Sequence, residues 1–116
     1  MTSSGIFLGT PNYASPEQAA LETLDERSDL YALGVVLFEM VVGRRPFLGD
    51  TSQDLLTQHR HAAPPDPRSL RPALSNDLAD LILRCLAKAP ATRYPSATAL
   101  RQALRQLSAR NPKPEA

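Results

Sequence analysis

The chain has 116 residues, a formal net charge of +1 and a single cysteine, Cys85. That length holds at most one domain with a modest core, and the near-neutral balance gives no reason to expect nucleic acid as a partner. A lone thiol excludes an internal disulfide and points to a reducing, cytoplasmic setting; the N-terminal MTSSGIFLGT does not read as a secretory signal, and no run reaches the ~20 apolar residues of a membrane span.

In chain order, residues 1–14 read as a polar loop around Ile6-Phe7-Leu8, with turn chemistry in Gly9-Thr10-Pro11-Asn12. Ser15-Pro16-Glu17 predicts a helix start: a hydroxyl cap, a proline in the first turn and an acid at the positive end of the dipole. This short helix is expected to run to about Leu21. The polar stretch 22–28 follows, where Asp25 or Ser28 can cap the next helix. That helix, DLYALGVVLFEMVVG at 29–43, is the longest apolar run in the chain. Its apolar residues surround the helical circumference, which predicts a central helix packed on nearly all sides. VVLF alone would also suit a buried strand, but the apolar character continues too far for one. Gly43 supplies a C-cap and Pro46 a stop.

Asp50 or Thr51 caps a helix over 52–61 that buries Leu55 and Leu56. Residues 62–74 form a proline-rich loop in a chain whose 11 prolines are close to twice the usual ~5%. Ser75 caps a helix over 76–87, where Leu78, Leu81, Ile82, Cys85 and Leu86 follow helical spacing and make Cys85 a core residue. Pro90 ends it. Ser96 caps a last helix to about Ser108, and 109–116 read as a flexible tail. His59 and His61 stand two apart, do not share a helical face and have no companion ligands, so no metal site is expected. The fold class is all-α, with five helices and no strand.

Three stretches carry a resemblance: GTPNYASPEQ at 9–18, SDLYALGVVLFEMVVGRRPF at 28–47 and ATRYPSA at 91–97. In this order and at these separations they resemble the C-terminal lobe of a eukaryotic-like (Hanks-type) bacterial serine/threonine protein kinase, over essentially residues 1–107. The resemblance implies the helical C-lobe of the protein-kinase fold, with 1–14 as the distal activation segment and its substrate loop and 15–108 as the lobe remainder. The family's glycine-rich phosphate loop, strand lysine, HRD-type catalytic loop and DFG motif do not occur in these 116 residues. Since phosphoryl transfer depends on those groups, the expectation is a partial kinase domain, inactive alone, that binds no cofactor or metal itself. In the intact family the cofactors are ATP and Mg2+. The alternatives are a non-catalytic protein-binding module or one half of a split kinase. The implied partners are a protein substrate or protein partner, or a complementary kinase half, with neither nucleic acid nor membrane.

Individual roles follow from the same resemblance. Thr10 matches a supporting threonine near the catalytic aspartate, with a turn hydroxyl bonded to local backbone as the weaker alternative. Phe7, Leu8, Pro11 and Ala14 match the surface that accepts the residue after the phosphorylated one. Tyr13 matches a tyrosine that braces this loop. Glu17 and Arg93 match an ion pair joining the loop to the base of the lobe, a geometry suited to the arginine fork. Asp29, Val36 and Met40 match structural anchors on the central helix. Glu39 matches a position that reads a substrate arginine, or else it pairs with Arg44 or Arg45. Thr2 and Ser4 match phosphorylation sites. In the resembled lobe part of the cover of the central helix comes from upstream elements, so one face of 29–43 is expected to lack a partner here and to drive self-association.

Overall fold

The computed structural model describes residues 11–110. The expectations for Thr2, Ser4, Phe7, Leu8 and Thr10, and for the tail over 111–116, fall outside the described residues. The described secondary structure is helical, without a strand among these residues: α1 (Pro16–Ala19), α2 (Glu26–Val42), α3 (Ser52–His61), α4 (Pro67–Leu70), α5 (Asn76–Cys85) and α6 (Ala97–Arg110), with 3-10 turns at Pro11–Tyr13 and Pro90–Thr92. None of these helices is long and apolar enough to cross a membrane.

Local chemistry sets the helix ends. Ser15 and Gln18 form a reciprocal capping box, each side chain bonding the other's backbone N–H. The side chains of Asp25, Thr51, Asp66, Ser75 and Ser96 each accept a backbone N–H from the first turn that follows. Gly43 closes α2 in the left-handed region at φ 93°. Leu21 also adopts this conformation, at φ 59°. There Glu22 N–H bonds Glu17 O and Leu21 N–H bonds Gln18 O, a Schellman closure of α1 with leucine in the usual glycine position. A non-glycine residue pays roughly 1–2 kcal/mol for that conformation.

The boundaries differ from expectation where charged residues precede an apolar run. α2 begins three residues early, at Glu26, because Asp25 is the cap; Ser28 is a buried side chain instead. The proline-rich loop contains the single-turn α4, started by Asp66 and Pro67. α5 ends at Cys85, two residues early, and α6 continues two residues past Ser108.

The core lies where α2 meets α5 and α6: Leu30, Tyr31, Val35 and Phe38 pack against Leu81, Ile82, Cys85, Leu86 and Leu100. Burial pushes the Cys85 thiol up to about 12, so it stays protonated and inert. Gly34 lets α2 and α5 cross closely, for a Cβ added there would lie 2.6 Å from Cys85 Cβ. A glycine inside a helix costs about 1 kcal/mol relative to alanine, and here the close crossing offsets it. Among the described residues α2 is packed on most sides and open on one. Leu33, Val36 and Met40 stand 40%, 37% and 73% exposed, so Val36 and Met40 do not anchor the core among the described residues. Asp29, in the first turn of α2, is also exposed.

Candidate functional site

The segment from Pro11 to Glu17 is held against the helical core by three separate ties. The strongest is at Glu17, placed by the capping box at the start of α1. Arg93 Nη1 donates to Glu17 Oε2 at 2.7 Å and Nη2 to Oε1 at 2.9 Å, a bidentate pair 76 residues apart in sequence. The Ser28 hydroxyl donates to Glu17 Oε2 at 2.6 Å. The other guanidinium hydrogens are also used: Nε donates to Ala87 O, Nη1 to Arg27 O and Nη2 to Lys88 O. Arg93 is 1% exposed, and its guanidinium lies over the Tyr31 ring. Burial works to raise the Glu17 pKa, but the hydrogen bonds from Arg93 and Ser28 outweigh it and hold the carboxyl below its usual value. Every donor of this buried cation has an acceptor, the condition under which a buried pair repays its desolvation.

The second tie is at Tyr13, whose hydroxyl donates to Glu39 Oε1 at 3.0 Å, so the loop braces against α2. The hydrogen bond to the Glu39 carboxylate raises the Tyr13 pKa, and the nearby Arg45 offsets part of the effect. Glu39 therefore meets Tyr13, whereas Arg44 turns to the carbonyls of Arg45 and Pro46.

The third tie had no counterpart in the sequence reading. His59 is buried; its Nδ1 lies 2.8 Å from the Tyr31 hydroxyl and its Nε2 lies 3.2 Å from Asn12 O. A carbonyl can only accept, so Nε2 carries the proton and Nδ1 accepts from Tyr31. Burial lowers the His59 pKa to about 4, with Lys88 adding to the effect. Lys88 donates to Gln58 O and His59 O at the end of α3 and packs over the Phe47 ring; desolvation brings it down to about 8. Helical spacing from Leu55 puts His59 on the buried face of α3, the one signal that could have found it.

The remaining predicted site residues are less convergent. Pro11 is half-buried in the first 3-10 turn. Ala14 is 2% exposed, so its side chain packs inward and offers little contact surface, contrary to expectation. Among the described residues no group of histidine, cysteine or acidic side chains could hold a metal ion.

Comparison with known proteins matches residues 2–104 to the protein kinase domain. The chain is 48% identical over 100 residues to the DNA damage-responsive serine/threonine-protein kinase RqkA of Deinococcus radiodurans, covering 86% of this chain and 15% of that protein. It is 46% identical over 103 residues to the serine/threonine-protein kinase Pkn1 of Myxococcus xanthus, covering 89% of this chain and 15% of that protein. It is 39% identical over all 116 residues to the serine/threonine-protein kinase PknB of Mycobacterium leprae, of which it covers 18%. The chain thus spans less than a fifth of the length of these relatives.

Proposed function

The chain belongs to the protein kinase family, and from that premise we propose that it forms the substrate-docking part of a bacterial serine/threonine protein kinase and is inactive alone. The observation that supports this reading best is the triple tying of 11–17 to the core, which presents a short loop in one fixed conformation. Preorganising a loop lowers the entropic cost of seating an extended peptide. In this reading Tyr13 braces the loop, Phe7, Leu8 and Pro11 line the site for the residue after the phosphorylated one, Thr10 stands beside the acceptor hydroxyl, and Thr2 and Ser4 accept phosphate. Glu39 keeps one carboxylate oxygen for a substrate arginine while Tyr13 holds the other. Asp29 serves as a contact for groups supplied elsewhere. In this reading ATP and Mg2+ are held by parts of the intact kinase other than these residues. A cytoplasmic location agrees with the single buried thiol.

Incubated with labelled ATP and Mg2+, this chain should transfer no label to itself or to a threonine peptide flanked by arginines. The same peptide should shift the amide resonances of Tyr13 and Glu39. Label transfer abolished by mutating this chain, or a peptide that leaves both resonances unmoved, contradicts the reading.

A second observation bears on partners. The exposed Leu33, Val36 and Met40 lie on one side of α2 and leave an apolar strip that a complementary kinase segment or a second copy would cover. Sedimentation at micromolar concentration should show self-association, and Met40→Lys should reduce it. A monomer in both cases would remove this part of the proposal.

A further inference from the structure

A recess of about 300 Å³ lies between the end of α1, the end of α3 and residues 88–90. Arg60, His61 and Lys88 line it on one side, and Glu17, Ala20 and Glu22 on the other. Glu17 is already neutralised by Arg93. That leaves two cations, Arg60 and Lys88, facing one uncompensated carboxylate, Glu22, with the His61 ring beside them. Among the described residues Arg60 and His61 are exposed, and neither side chain is engaged in a hydrogen bond or ion pair.

The segment that follows α1, next in sequence to the recess lining, carries a second anomaly. Leu21 and Leu24 flank the lining residues Glu22 and Thr23 in sequence without lining the recess themselves, and they are 54% and 50% exposed. Leu21 occupies the left-handed closure of α1, where glycine would be unstrained. An exposed leucine held in a strained conformation gains nothing for the core, which makes its outward face a candidate contact.

We propose that this recess docks a short acidic segment of a partner protein, with an aliphatic side chain on Leu21 and Leu24 and a neighbouring carboxylate on Arg60, His61 and Lys88. Charge complementarity selects the occupant: a basic segment would meet Arg60 and Lys88, and a purely polar one would leave both leucines in water. Lys88 already spends donors on Gln58 O and His59 O, so its ammonium is held in place before a ligand arrives. The recess shares Pro16 and Glu17 with the tied segment at 11–17, but the proposal does not require the substrate-docking reading to hold.

The test uses the full chain and a short fluorescein-labelled peptide of alternating leucine and glutamate, followed by anisotropy. Binding should be saturable, and replacing glutamate by lysine in the peptide should abolish it. Arg60→Glu should weaken binding by roughly tenfold, a change of about 1.4 kcal/mol. Leu21→Gly should weaken it several-fold and at the same time raise the melting temperature, because it relieves the backbone strain. That opposed pair of effects separates a docking residue from a structural one. The proposal fails if the acidic peptide does not bind, if the lysine peptide binds equally well, or if Arg60→Glu or Leu21→Gly binds like the unmodified chain.

Discussion

Arg93→Ala should destabilise the fold by about 3–5 kcal/mol, the cost of leaving a buried charge without its partner. The expectation rests on burial and on the completeness of the network. The substitution removes the bidentate pair and the donors to Ala87 O, Lys88 O and Arg27 O, and it leaves the Glu17 carboxylate with Ser28 and its own backbone N–H. Whole domains of this size are stable by only about 5–15 kcal/mol, so most of the folded population is at risk. Arg93→Lys should recover little, because an ammonium cannot reproduce the planar fork. Arg101→Ala, on the exposed side of α6, serves as the control and should stay within about 0.5 kcal/mol. Urea melts of the three variants give the comparison. Equal midpoints for Arg93→Ala and Arg101→Ala would mean that the pair contributes no more than a surface contact.

Acid should unfold the chain through His59. The unfolded state binds a proton near pH 6.5, whereas the buried native imidazole resists protonation until about pH 4. Between those values the unfolded state holds the extra proton, so stability falls as pH falls. At about 1.4 kcal/mol per pH unit the total loss is about 3.5 kcal/mol, and it levels off below pH 4, where the native ring is protonated too. Protonation also removes the acceptor for the Tyr31 hydroxyl, so the link from α2 through His59 to Asn12 is the part that gives way. Glu17 acts in the same direction but lower. Its pKa is depressed, so its contribution is present above the ordinary carboxylate range and is lost as pH falls through its folded value. The window from pH 6.5 to 5 therefore isolates the histidine. His59→Gln should flatten the stability profile there, and an unchanged slope in that variant would assign the acid sensitivity to another group.

The legible parts of this fold were the local ones. Ser15, Thr51, Ser75 and Ser96 cap helices because a hydroxyl before a helical pattern has few other uses, and Gly43 ends α2 because only glycine enters the left-handed region without strain. The illegible parts depend on neighbours remote in sequence. Ser28 looked like a cap, and its real partner is Glu17. In the sequence His59 reads only as one of two histidines that cannot share a metal, and it is a buried strut between Tyr31 and Asn12. The Leu21 closure could not be foreseen, since nothing in ALET marks a left-handed residue. The all-round apolar character of α2 predicted burial, yet Met40 is largely exposed, because a pattern records what a helix can bury and not what is present to bury it. The Glu17–Arg93 tie was reachable only through the resemblance of the motifs around each residue; their separation gives no hint of it.

The most direct test of the account is amide hydrogen exchange over 12–22 in the unmodified chain and in Arg93→Ala, under conditions where both remain folded. If this loop is held in place through Glu17, α1 and the turn at Asn12–Tyr13 lose protection in the variant while α5 keeps its own. Equal protection of 12–22 in the two proteins would show that the loop holds its conformation without the ion pair, and would contradict the account.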